Sequence, residues 1–477
     1  MTLVTECAEN HETGEVPFLV KLGYSFGTFG ESIAYNLFYV FFLIFLTVVV
    51  GLDPAVAGAI SLVAILWDGV TDPLVGYLSD NSKSRAGRRR PFIIRFCAPL
   101  AATLVLLFTT IPALSGMAQV AYFLVMNILF WTMFTLVDVP YIALGGELSD
   151  SGKERTQIRT MATMWNFVGF ILVAAGTVPL VTYFADPVVF PGEAAFRDPS
   201  AWKTFAMLIG ALTFVSFAIA FWATKGREPV RHTERKSEQG SFLASYLSVM
   251  KIREFHPLIA FCLISQVGGY MLTALAVHYF IYYMGATEGQ ISTIFLVYGV
   301  MVVAASPIIG ALANRFGKKA VLLACNLINV ALFFAFWKLG FTFTTIYFFD
   351  LGIALYFGSF YILGVAATYD IAEVDRLARR DHDSRQGIVF ALFSFVMKLG
   401  IGLGMFFSGI LLKTTGFDES VLEQTPEALS GLHIGLTLIP ALLFLAASLA
   451  LWRYPITRAR QVSIEADIRL LEESRAS

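Results

Sequence analysis

The sequence is short of charge. Among its 477 residues 14% are Asp, Glu, Lys or Arg, against about a quarter in a soluble globular domain. So few charges cannot cover a water-facing surface. The net charge of −1 also removes the field that would draw the chain to nucleic acid or another polyanion. Cysteine is nearly absent: Cys7, Cys97, Cys262 and Cys325 show neither metal-ligand nor disulfide spacing. No nucleophile–base pair stands out, which argues against an enzyme and against any cofactor beyond an ion. The N-terminal stretch "MTLVTECAENHETGEVPF" is polar and acidic. It lacks the basic region and apolar core of a signal peptide, so none is expected to be cleaved. What the chain has in excess is apolar: 57% of residues are hydrophobic and mean hydropathy is +0.70. This composition predicts an all-α, multi-pass membrane protein.

A helix needs about 20 apolar residues to cross the hydrocarbon core. About twelve such segments follow one another, from residues 24–50 to residues 431–453. Lys and Arg gather in alternate loops, with Arg88, Arg89 and Arg90 after the second segment and Arg315, Lys318 and Lys319 after the eighth. The intervening loops "GLDPA", "PALSGMAQ" and "GATEGQ" carry none. The positive-inside rule then predicts that both termini are cytoplasmic. The expected divisions are a tail at 1–23, a six-helix half at 24–223, a cytoplasmic loop at 224–254, a second half at 255–456 and a tail at 457–477. "DPLVGYLSDNSKSRAGRRR" from Asp72 is echoed by "SPIIGALANRFGKK" from Ser306. A parallel repeat of six-helix halves points to the major facilitator fold, with substrate between the halves. Gly76 and Gly310 in this repeat are candidates for close helix crossings. In the last tail, Ile464, Ile468 and Leu471 share one face of an expected amphipathic helix on the membrane surface.

The second segment, "ILWDGVTDPLVGYLSD", holds two acids. Asp68 and Asp72 lie one turn apart on one helical face, with Thr71 beside them. On insertion scales the pair costs roughly 5–7 kcal/mol, more than the segment's aliphatic residues return. The acidic face must therefore look into protein or a wet cavity. In the fourth segment Trp131, Thr135 and Asp138 share a face. Asp68 stands twelve positions before Asp80, and Asp138 twelve before Asp150, so both sit about 18 Å from the inner helix end. Lys398 is twelve positions into the eleventh segment. Carboxylates clustered at low dielectric need a proton, a metal cation or a cationic side chain. Asp68, Asp72, Thr71 and Thr135 form an all-oxygen set suited to a hard monovalent cation or a proton, not a transition metal.

Other polar and aromatic residues suit stacking on, and hydrogen bonding to, a polar organic ligand. They are Ser32, Tyr35 and Asn36 in the first segment, Trp131 in the fourth, and Trp165 and Asn166 in the fifth. Gln266 and Tyr270 follow in the seventh. His278 and Asp350, near the outer ends, are not expected to take part. The basic loop with Arg88 and Arg89 is expected to close the inner side against Asp80 or Asp150.

"KLGYSFGTFGES", "WDGVTDPLVGYLSDNSKSRAGRRRPF", "DVPYIAL" and "FVMKLG" resemble the glycoside–pentoside–hexuronide:cation symporters, the melibiose permease-like family of the major facilitator superfamily. "GRRRPF" is also similar to sucrose–proton transporters. The resemblance implies sodium or proton symport of a sugar, glycoside or hexuronide by alternating access, in a bacterial inner (plasma) membrane. A small-molecule substrate, lipid contact and a monomer follow from the same likeness. It assigns Asp68, Thr71, Asp72 and Thr135 to the cation. Asp138 would touch both ion and sugar, and Lys398 would be the mobile partner of the acids. Cation binding would release Asp138 and Lys398 from each other and let substrate bind. The chain departs from the family's galactoside binders: Glu31-Ser32 stands where they have Lys-Asp, Ile142 where a Trp stacks, and Thr163 where an Arg lies. These changes admit a second likeness, to sodium-dependent lysophospholipid symporters. A non-transporting sensor or scaffold is a third reading.

Overall fold

The computed structural model describes residues 16–80, 82, 84, 87–149, 152–227, 248–379, 386–418, 421 and 423–476. Among them, twelve helical spans are long and apolar enough to cross a membrane. The chain divides into two compact units, Met1–Thr233 and Glu234–Ser477.

The first unit contains α1 (Phe18–Ile44), α2 (Pro54–Asp80), α3 (Arg90–Leu107), α4 (Met117–Glu147), α5 (Gly152–Phe184) and α6 (Pro199–Ala223). Helix α1 packs on α5 and α6, α2 on α4, and α3 on both α4 and α6. The crossings of α1 are close because glycine permits them. A Cβ on Gly169 would stand 2.8 Å from Ser32 Cβ, and one on Gly30 would stand 2.7 Å from Ser216 Cβ.

The second unit contains α7 (Phe255–His278), α8 (Glu288–Phe316), α9 (Lys318–Leu339), α10 (Ile346–Ser359), α11 (Val365–Arg379), α12 (Gln386–Thr414), α13 (Pro426–Leu436), α14 (Leu438–Trp452) and α15 (Arg458–Ala476). Helices α10 and α11 form one span joined by a π-helical turn, and α13 and α14 form another. Helix α7 packs on α12 and α14, α8 on α10, and α9 on both α10 and α14. This repeats the pairing of the first unit. The crossing of α7 with α12 is again set by glycine: a Cβ on Gly400 would stand 2.7 Å from Gln266 Cβ. Both α1 and α7 end in a π-helical turn, Phe45–Val49 and Tyr279–Tyr283.

One detail differs from expectation. Gly76 and Gly310 do not make the close crossings: a Cβ on Gly76 would meet only Val139 at 3.8 Å, and one on Gly310 nothing within 4 Å. The expected tail helix is α15; it buries Ile464 and Ile468 and packs on α11, and the side chain of Leu471 lies outside the described residues.

Candidate cation site

Helix α2 is two-faced. Asp68, Thr71 and Val75 are buried, while Val70, Leu74 and Tyr77 on the other side are exposed. Helix α2 meets α4 through three side-chain bonds that fix its register. Asn127 Nδ2 donates to the Ile60 carbonyl at 3.3 Å, and Trp67 Nε1 donates to Thr132 Oγ1 at 2.9 Å. Between α2 and α4 at the acid itself, Thr135 Oγ1 donates to Asp68 Oδ1 at 2.5 Å. Asp68 is 2% exposed and Thr135 1%. Thr71 Oγ1 donates back to the Asp68 carbonyl at 3.1 Å. Asp72 and Asp138, one turn further along their helices, are half-buried. Both follow the same sequence logic: a proline, Pro73 or Pro140, sits just after the acid inside the helix. Neither proline has an amide proton for the carbonyl four residues back, Gly69 or Leu136. Carbonyl oxygens thus accompany the carboxylates, a signal that the sequence carried but composition and spacing did not reveal.

Trp131 lies one turn before Thr135 and is 1% exposed. Its ring meets Phe38 at 5.1 Å, Phe134 at 5.3 Å and Tyr35 at 6.2 Å between centroids. Its buried indole nitrogen has no hydrogen-bond partner among the described residues. On α1, Ser32 Oγ donates to the Asn166 carbonyl at 2.6 Å, and Asn36 Nδ2 donates to Ser32 Oγ at 3.1 Å. Trp165 is edge-on to Phe26 at 4.8 Å and to Phe29 at 6.0 Å, both on α1. In the second unit, Tyr356 donates to Gln266 Oε1 at 3.1 Å, and the hydroxyls of Tyr270 and Tyr361 are 3.1 Å apart. Lys398 is half-buried within α12.

Arg88 and Arg89 both reach one carboxylate oxygen of Glu147, at 2.7 and 2.9 Å. The expected partners were Asp80 and Asp150. Asp150 and the side chain of Asp80 lie outside the described residues. Glu147 sits in "LGGELSD", three positions before Asp150, and the sequence gives no reason to choose it first. The second unit repeats the device, with Lys318 pairing with Asp370 at 2.6 Å. A further pair escaped the sequence reading: Lys21 on α1 meets Glu154 on α5 at 2.7 Å, and both are largely buried.

A buried carboxylate with hydroxyl and carbonyl oxygens around it can hold a hard cation or a proton. Among the described residues no cluster of His, Cys, Asp and Glu could hold a transition metal. Residues 23–458 match a family described as MFS/sugar transport protein. An isoprimeverose transporter of Lactiplantibacillus pentosus is 24% identical, covering 93% of this chain and 90% of its own length. The sodium-dependent lysophosphatidylcholine symporter 1 of Xenopus tropicalis is 24% identical, covering 91% of this chain and 86% of its own. Among solved structures, a single-residue mutant of the nucleoside transporter NupG superposes with a TM-score of 0.68 at 13% identity. That alignment covers 91% of this chain and 99% of NupG, and it shows a shared fold.

Proposed function

Because the chain belongs to the family of MFS/sugar transport proteins, we propose that it moves a sugar or glycoside across the membrane together with a sodium ion or a proton. The observation that carries this reading is the buried contact between Asp68 and Thr135 on two neighbouring helices. A carboxylate left bare at that depth is costly, so its charge is cancelled by the coupling ion. Asp68, Asp72, Thr71 and Thr135 supply the oxygens. Asp138, one turn on, accepts hydrogen bonds from substrate hydroxyls, and Tyr35, backed by the buried Trp131, gives an apolar face on which a sugar ring stacks. We add Ser32, Asn36, Trp165 and Asn166 of the same unit as substrate contacts, and propose the same role for Gln266, Tyr270 and Lys398. Arg88 and Arg89, with Asp80 and Asp150, govern closure on the basic side, which we place in the cytoplasm of a bacterial cell. A membrane potential of 100 mV contributes about 2.3 kcal/mol per charge carried inward.

Uptake into proteoliposomes over a panel of glycosides, pentosides and hexuronides tests the reading, with sodium and pH gradients varied separately. Gradient-driven uptake of one sugar class is expected. The similarity to the lysophosphatidylcholine symporter and the aliphatic Ile142 favour one alternative, an amphiphile as substrate. No uptake of any sugar, with ion-stimulated binding of a lysophospholipid, would establish that alternative instead.

A further inference from the structure

Asp350 lies in the second unit, on α10, and the cation reading makes no use of it. It is 4% exposed, and its Oδ2 is buried without a hydrogen-bond partner. Four cations of this unit are engaged elsewhere. Lys318 pairs with Asp370, Arg379 with Asp375, and Lys319 donates to the carbonyls of Trp452 and Tyr454. Lys338 lies over the Trp337 ring at 3.9 Å. The elements packed on α10 are α8 and α9. From α8 the titratable group facing it is the phenol of Tyr298. From α9 the neutral amide of Asn329 lies against this stretch of α10, its Oδ1 2.8 Å from where a Cβ on Gly352 would lie. Among the described residues, Asp350 has no ion-pair partner.

An isolated ionised carboxylate at such a place is strongly disfavoured, and the group neutralises instead. We infer that Asp350 is a proton-binding site in the second unit, separate from the Asp68 site of the first. The carboxylate takes up one proton and becomes the neutral acid, with no metal and no lysine involved.

Infrared spectroscopy of the full chain tests the site without substrate. At about pH 8 exposed carboxyls, with ordinary values near 4, are ionised and silent in the carboxylic-acid C=O region. The wild type is expected to show a protonated-carboxyl component that Asp350→Asn removes and Asp350→Glu restores at a shifted frequency. Superimposable spectra of wild type and Asp350→Asn in that region would overturn the proposal. So would a Asp350→Asn protein that fails to fold while Asp350→Glu folds, because a neutral amide should replace a neutral acid. Failure of sugar transport would leave this result untouched, so the two readings fall separately.

Discussion

Thr135 Oγ1 lies 2.5 Å from Asp68 Oδ1 and bonds α4 to α2 where both side chains are buried. A hydroxyl that close to a carboxylate holds its geometry and shares in its charge. Hydrogen bonds to charged groups contribute about 1.5–3 kcal/mol. Thr135→Ala should therefore raise the half-saturating cation concentration for uptake by about tenfold or more. Thr135→Ser, which keeps the hydroxyl, should stay near the wild-type value. Ion titration of substrate uptake by the three proteins measures this, and equal values would remove Thr135 from the site.

The acids themselves should separate coupling from folding. Asp68→Asn and Asp72→Asn each remove a charge that costs about 2.5–3.5 kcal/mol at a helix centre. The variants should insert and melt no lower than wild type, yet lose ion stimulation of uptake. Thermal unfolding in detergent and gradient-driven uptake supply the two readouts. Full ion dependence in Asp72→Asn would show that the coupling ion binds elsewhere.

The loop before α6 carries a pH-dependent element outside the spans. Asp198 caps α6: it accepts from Ser200 N–H at 2.8 Å, Ser200 Oγ–H at 2.8 Å and Asp186 N–H at 3.1 Å. Burial favours its neutral form, but these hydrogen bonds outweigh burial and hold the carboxyl below its ordinary range. A depressed value stabilises the fold above the unfolded carboxyl value near 3.9 and loses that stabilisation as pH falls through the folded value. Asp198→Ala should cost about 1 kcal/mol at neutral pH through loss of the cap. The gap in melting temperature between wild type and variant should narrow below about pH 4. A gap independent of pH would mean that the capping contact does not involve the ionised acid.

Much of this was legible in one sequence because a membrane imposes few choices. Spans follow from length and hydropathy, and Asp68, Asp72 and Thr135 announce themselves as polar groups where none is tolerated alone. The half-chain echo at Asp72 and Ser306 has its counterpart in the pairing of α2 with α4 and of α8 with α10. What stayed hidden depends on which helix face meets which. Glu147 stands near a helix end as Asp80 and Asp150 do, and only the packing of α4 shows that it meets Arg88 and Arg89. The glycines that matter, Gly30, Gly169 and Gly400, sit at crossings that no periodicity marks, whereas the repeat drew attention to Gly76 and Gly310.

Lys21 shows the same limit, since a lysine four residues into α1 reads as an interfacial anchor until its partner is known. Its Nζ is 2.7 Å from Glu154 Oε2 and donates to Gln157 Oε1 at 2.7 Å. Glu154 Oε2 also accepts the Val16 amide at 3.0 Å, so one carboxylate ties the start of α1 to α5. Removing one member of such a pair strands the other, at a cost of about 3–5 kcal/mol, whereas replacing both by apolar residues is often neutral. Glu154→Leu should therefore lower the melting temperature sharply, and Lys21→Met with Glu154→Leu should recover most of the loss. The double-mutant cycle reads the coupling directly. Additive losses in the double variant would show that the two charges do not depend on each other.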